Sequence, residues 1–289
     1  MPVFNGAKYL RDSLDAVLSQ TFTDFELIIS DNASTDDTES ICREYAARDR
    51  RVRFIRQQRN IGAFGNFELV LNEARGQYFM WVASDDVIGP DWVAHLVRSF
   101  RETDFGVFGE YQYIAESGEA ESAPSTPRHL KRNSQLATFM LPDTSGKCFY
   151  IYSLFRREPL LSLRIFAEQP FLGNDQIMIL RLLEHGDLRS APGALMKYRV
   201  HDSNTSSTEG RQQGAYRRML FSTFPATYYR HALAALPRRK RALALPLVPL
   251  KYLFEQSRSY KTFIGLLLRK GQDVIRGRAH LRRHAAAKG

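Results

Sequence analysis

Two adjacent carboxylates, Asp85 and Asp86, close an apolar run, QYFMWVAS. Adjacent acids repel, and burying either without a partner costs several kcal/mol. A positive group must therefore meet them. Mg²⁺ and Mn²⁺ are hard cations that take carboxylate oxygens. A cation bridging one of these acids to a diphosphate would neutralise acid and phosphate together. An Asp-Asp pair at this place can also do no more than cap the following helix or decorate a loop. A third acid, Asp31, follows a second short apolar run, FELIIS.

The elements that must position these acids alternate in hydrophobic period. AKYLRDSLDAVLSQ places Leu10, Leu14, Val17 and Leu18 at helical spacing. FELIIS, VRFI and QYFMWVA read as strands. STDDTESICREYAARD reads as a helix with Ser34 or Thr35 at its N-cap and acids in its first turn. NIGAFGNFELVLNEARG reads as a glycine-containing loop entering a helix that stops at Gly76, and PDWVAHLVRSFRE as a helix with Pro90 near its first turn. Strands alternating with helices predict an α/β fold of Rossmann-like type, with a mostly parallel sheet and helices on both faces. In such sheets ligands bind beyond the carboxyl ends of the strands, which puts Asp31 and Asp85/Asp86 on one rim. Further along, residues 104 to 116 predict another strand, ESGEAESAPSTPRH a polar loop, DQIMILRLLEHG an amphipathic helix ending at Gly186, and ALMKYRVH a last strand.

The charge is unevenly distributed. The 289 residues carry a net +10, yet from Arg211 onward there are 18 Lys/Arg against 2 acids, while the first 210 residues carry 23 against 29. A mildly acidic body is followed by a strongly basic segment. The polar stretch HDSNTSSTEGRQQG marks the boundary, giving a domain over 1–207 and a helical basic extension over 208–289. No stretch has the roughly 20 uninterrupted apolar residues of a membrane span, and MPVFNGAKYL lacks the pattern of a secretory signal. Two cysteines, Cys42 and Cys148, exclude a disulfide framework or a Cys-rich metal site and predict a cytoplasmic setting.

Taken jointly and in order, PVFNGAKYLRDSLDAVLSQTFTDFELIISDNASTDDT, RNIGAFGN, MWVASDD, NDQIMILRLLEHGD and YRVHDSNTS resemble the family 2 inverting glycosyltransferases, which have the GT-A fold. The likeness covers roughly residues 1 to 207. It implies roles residue by residue. Asp31 matches the acid that accepts a nucleobase N–H. Pro2, Asn5, Arg59, Asn60 and Gly62 match the loops lining the nucleotide pocket. Asp86 matches the metal ligand, and Asp85 the acid facing ribose or the water shell of the metal. His201 matches a position near the diphosphate, where it would either complete the metal shell or bind phosphate together with Arg199. Asp175 matches the catalytic base, beside Asn174 as a helix cap. Many members have D-x-D-D where this chain has Ala83-Ser84-Asp85-Asp86, so one acid of three is replaced by a residue that binds nothing.

The implied reaction moves a sugar from a nucleoside diphosphate, UDP or dTDP favoured, to an acceptor hydroxyl with inversion, using Mg²⁺ or Mn²⁺. It fits the synthesis of a surface polysaccharide or glycolipid. In the family a strand of about five apolar residues precedes the Pro matched by Pro2, so the first strand is expected to be missing. The segment 211–289 alternates apolar and aromatic residues with Lys/Arg, broken at Pro237, Pro246 and Pro249. That pattern predicts amphipathic helices on an anionic membrane surface at the inner face of the cell membrane. A helical cap on the body and a nonspecific nucleic-acid patch are its alternatives, and no specific nucleic-acid partner is expected. Among enzymes a sugar nucleotidyltransferase competes, but PVFNG is not its Gly-rich, Arg-containing loop. The non-enzymatic alternative is a degenerate nucleotide-sugar binder or membrane scaffold.

Overall fold

The computed structural model describes residues 1–140, 147–163, 174–201 and 224–252, with backbone only at 147–148, 174–176 and 224–227. The first strand, β1 (Pro2–Val3), pairs in parallel with β2 (Leu27–Asp31), which pairs in parallel with β3 (Val52–Arg56). Where the family comparison expects no first strand, two residues of it occupy the slot. Ser30 N–H donates to the Met1 carbonyl and Asn32 N–H to that of Val3, so the end of β2 is paired on this side.

All five residues of β2 are buried. Leu27 and Ile29 join one apolar cluster and Ile28 the other, as a strand covered on both faces must. On the first side lie α1 (Ala7–Leu18), through Leu10, Leu14 and Val17, and α2 (Thr38–Arg48), through Ile41 and Tyr45. On the other lies α3 (Gly62–Glu73), through Val70 and Leu71. α2 begins three residues after the expected caps. Ser34 and Thr35 are spent in the preceding turn, and Asp36 Oδ1 accepts the N–H of Thr38 at 3.1 Å instead.

QYFMWVA forms a strand only at β4 (Tyr78–Phe79). It belongs to a second, mixed sheet with β5 (Val87–Ile88), β6 (Asp104–Ile114), β7 (Leu154–Arg156) and β8 (Asp187–Arg199), ordered β4-β7-β6-β8-β5. β6 and β8 run parallel, and the remaining pairs are antiparallel. The sheet is thus less parallel than the helix–strand alternation predicts, because β7 and β5 are too short to register in a periodicity reading. The polar segment ESGEAESAPSTPRH runs back along β6, bridging Ile114 to Ala120 and Tyr111 to Ser125.

Trp81 and Trp92 are both core residues. Trp92 opens α4 (Trp92–Ser99), meets Phe108 edge-on at 5.3 Å and donates from Nε1 to Met80 Sδ. The remaining helices are α5 (Gln135–Met140), α6 (Arg157–Ser162), α7 (Asn174–Leu182), α8 (Phe224–Ala234) and α9 (Arg238–Ala244), with a 3₁₀ turn over Lys147–Tyr152.

The chain divides into two compact units, Met1–Arg241 and Ala242–Gly289. The sequence-based boundary at 207 falls inside the first. Helix α8 packs on α7, buries Tyr228, Tyr229 and Ala232, and sets the Tyr229 ring edge-on to Phe139. Lys240 donates to Gln135 Oε1 and to the Asn133 carbonyl. Counted by charge, 224–241 looks like a basic tail. Its apolar stripe makes it part of the body.

Candidate active site

Three turns meet at the carboxyl ends of β1 and β2. Asn5 adopts φ 50°, a left-handed conformation that Asn tolerates better than most residues. Its N–H donates to Ser34 Oγ at 2.8 Å, and its Oδ1 accepts the N–H of Thr35 at 2.8 Å. Gly6 N–H donates to Thr38 Oγ1. Asn32, one residue past β2, holds the next loop: its Oδ1 accepts the N–H of Ile61, and its Nδ2 donates to Asn60 Oδ1 and to the Gly62 carbonyl. Gly62 sits at φ 79°, which suits a residue without a Cβ. Asp31 is fully buried; Oδ1 accepts from Ser34 N–H at 2.9 Å and Oδ2 from Arg56 Nη1 at 2.7 Å.

The fourth turn is Ser84-Asp85-Asp86, after β4. Gly6 lies against it: a methyl group at Gly6 would come 3.3 Å from Ser84 Oγ and 2.7 Å from Val3 Cγ2. Gly6→Ala is expected to lower stability by about 1–3 kcal/mol, because Val3 is a buried, β-branched neighbour that cannot swing aside. Denaturant unfolding checks this, and an unchanged midpoint would mean that the turn has slack.

The positive group required by the acid pair comes from β8 and the residues just after it. Arg199 is 4% exposed. Its own N–H donates to Asp86 Oδ1 at 2.9 Å, and its guanidinium donates to the Asp85 carbonyl, the Glu116 carbonyl and Asp12 Oδ2 at 3.0, 2.8 and 2.9 Å. Ser13 on α1 donates to the Asp86 carbonyl at 2.7 Å. Asp86 is 2% exposed, and among the described residues its Oδ2 has no hydrogen-bond donor. Burial, and then the neighbouring charge of Asp85, push its carboxyl well above the usual carboxylate range. Asp85 is more open, and its Oδ2 lies 2.9 Å from His201 Nε2. The His201 ring is 4.7 Å from that of Tyr9, whose hydroxyl donates to Glu116 Oε1.

The sequence pattern of glycosyl transferase family 2 matches residues 1–164, more than half of the chain. The chain belongs to glycosyl transferase family 2. A Campylobacter jejuni relative, GalNAc(5)-diNAcBac-PP-undecaprenol beta-1,3-glucosyltransferase, is 27% identical over 220 residues, covering 75% of this chain and 68% of that protein. The S. aureus TarS structure in complex with UDP-GlcNAc shares the fold, with a TM-score of 0.57 at 16% identity, covering 90% of each chain. The mannosyltransferase PcManGT from Pyrobaculum calidifontis, in complex with GDP-Man and Mn²⁺, matches with a TM-score of 0.51 at 16% identity, covering 90% of this chain and 78% of that one. The mixed two-sheet architecture is therefore the GT-A fold of a glycosyltransferase.

In this glycosyltransferase the expected residues fall in different surroundings. Asn5, Asn60 and Gly62 lie on the turns just described, Pro2 lies in β1 ahead of the first of them, and Arg59 is exposed beside Asn60. Asp31 already accepts two hydrogen bonds. Asp86, expected to hold the metal, is instead enclosed and bonded to the backbone of β8, whereas Asp85 with His201 forms the more open pair. Arg199, expected to pair phosphate, is buried in contacts with the protein itself. Asp175 is the second residue of α7, and its side chain lies outside the described residues. Asn32, Tyr9, Asp12, Arg56 and Glu116 were missed. Asn32 alone left a signal, as the second residue of the DNAST turn; the others look like ordinary surface positions until the chain folds.

Among the described residues no group of three or more His, Cys, Asp or Glu side chains gathers as a metal cage. The donor set still fits a divalent cation shared with a diphosphate: one carboxylate and one imidazole in contact, with further oxygens to come from ligand and water.

Proposed function

We propose that this family 2 enzyme transfers a sugar from a nucleoside diphosphate sugar to an acceptor hydroxyl in one displacement that inverts the anomeric centre. The observation that carries this reading is the Asp85–His201 pair at the same rim as the Asn5, Asp31 and Asn60 turns. Asp85 and His201 would hold Mg²⁺ or Mn²⁺, which would offset charge on the departing diphosphate. The Asn5–Gly6, Asn32–Ser34 and Arg59–Gly62 turns would line the nucleotide. Asp31 would accept the imide N–H of uracil or thymine, since each carboxylate oxygen retains a second lone pair beyond the bond it already accepts. Asp175 would take the proton of the acceptor hydroxyl as that oxygen attacks C1.

Thermal unfolding in the presence of UDP-, dTDP- and GDP-sugars, with and without Mn²⁺, tests the reading. A uridine or thymidine diphosphate sugar is expected to raise Tm, and more so with Mn²⁺. A panel that leaves Tm unchanged would defeat the proposal.

The catalytic part is the first compact unit, and the basic segment beyond it is assigned to an anionic membrane surface. Among the described residues no helix is long and apolar enough to cross a membrane. The composition of the segment supports attachment by amphipathic helices, and the relative named for an undecaprenol-linked acceptor makes a lipid-linked acceptor a coherent choice. The full chain is expected to float with vesicles containing anionic lipid and to be released by high salt. Equal flotation with neutral vesicles would refute the electrostatic attachment.

A further inference from the structure

We infer that Arg199 is a positioning residue for the cation-holding pair rather than a phosphate ligand, and that Asp12 on α1 completes its clamp. This rests on the reading that Asp85 and His201 hold a cation against the donor diphosphate.

Arg199 touches the Asp85–Asp86 turn twice, through its own N–H to Asp86 Oδ1 and through Nε to the Asp85 carbonyl. The two bonds pin the peptide from which the Asp85 side chain projects. Its other guanidinium contacts reach Asp12 on α1 and the Glu116 carbonyl beyond β6, and its guanidinium carbon lies 4.9 Å from the Tyr9 ring centroid. Tyr9 is also the ring packed on His201. One side chain thus ties three parts of the chain to the backbone of Asp85 and to the aromatic support of His201.

The charged and titratable groups around it are Asp12, Asp85, Asp86, Glu116, Lys8 and His201, with Lys8 paired to Glu116. A guanidinium at 4% exposure, with one donor on each of Nε, Nη1 and Nη2 held by a protein oxygen, is poorly disposed to bind a diphosphate as well. The planar fork is what spans those separate acceptors. A lysine ammonium is a point charge and cannot reproduce it. Outer contacts of this kind orient ligands, and their loss commonly lowers metal affinity by about 10- to 100-fold.

Calorimetric titration of the full chain with UDP, in the presence and absence of Mn²⁺, separates the roles. In Arg199→Lys the cation-dependent gain in UDP affinity is expected to fall about tenfold or more, with metal-free UDP affinity close to that of the parent protein. Asp12→Asn keeps an acceptor for Arg199 Nη2 but removes the charge that faces the buried guanidinium, so its thermal unfolding is measured alongside; it is expected to lower the same gain by about threefold, with metal-free UDP affinity unchanged. An Arg199→Lys protein that loses metal-free and Mn²⁺-dependent affinity alike would mean that the arginine binds phosphate directly. An unchanged Mn²⁺-dependent gain in both variants would overturn the inference while leaving the cation reading in place. Asp85→Asn serves as the control: if it keeps the full Mn²⁺-dependent gain, the cation reading falls, and the positioning role falls with it.

Discussion

Asp175→Asn is expected to reduce turnover by about 10²-fold or more while leaving donor affinity within a factor of about two. The substitution keeps size and hydrogen-bonding capacity but removes the basic lone pair. An inverting displacement needs a group that accepts the acceptor hydroxyl's proton as the new bond forms, and that need arises only in the transition state. Loss of the base should therefore appear in kcat, with the donor KM nearly unmoved. Asp175 is the second residue of α7, and Asn is about as acceptable as Asp near a helix N-terminus. The fold should accordingly tolerate the change. Steady-state kinetics with a sugar nucleotide, together with direct donor binding, check the result. A variant with near-parental kcat and intact binding would move the base to another residue.

Asp85→Asn is expected to be at least as damaging and to fail differently. An amide oxygen is a neutral, weaker ligand for a hard cation than a carboxylate. It also removes the negative charge from the contact with His201 Nε2. Turnover should drop by about 10²- to 10³-fold, from the usual worth of an electrostatic group on a leaving oxygen. The donor KM should rise with it, because the diphosphate is held partly through the cation in the ground state. Excess Mn²⁺ should restore part of the loss in this variant and none in Asp175→Asn, and that contrast separates the two roles. Asp86→Asn should behave unlike either. It alters a carboxyl that burial already pushes toward the neutral form, with the one accepted hydrogen bond from Arg199 N–H available to the amide oxygen as well.

The different surroundings of the two adjacent acids show where a linear reading stops. Position after an apolar run is enough to place both at a strand's carboxyl end. The two side chains leave that turn in different directions, however: Asp86 is buried and meets the β8 backbone, while Asp85 is more open and meets His201. Which is which depends on Arg199, whose N–H meets Asp86 from 113 positions away. Arg199 itself was legible as a positive group near the acids. Its burial was not, because an arginine at the end of a strand carries no mark of whether Asp12, Tyr9 and Glu116 will fold around it. The same holds at the end of the described chain. Arg238, Arg239 and Arg241 advertise charge, while the Tyr228, Tyr229 and Ala232 stripe that docks α8 becomes meaningful only once α7 offers a surface to receive it.

Local chemistry carried much of the architecture. Leu27, Ile28 and Ile29 belong to a short run that reads as a strand, and Leu10, Leu14 and Val17 sit at the spacing of one helix face. Such patterns are written in neighbouring residues, because backbone geometry repeats every two or 3.6 positions. Charge neutralisation is different: Coulomb interactions respect distance in space and ignore distance along the chain. The need for a partner at Asp85 and Asp86 was visible in eight consecutive letters, but the choice of Arg199 for one acid's surroundings and His201 for the other's belongs to the folded molecule.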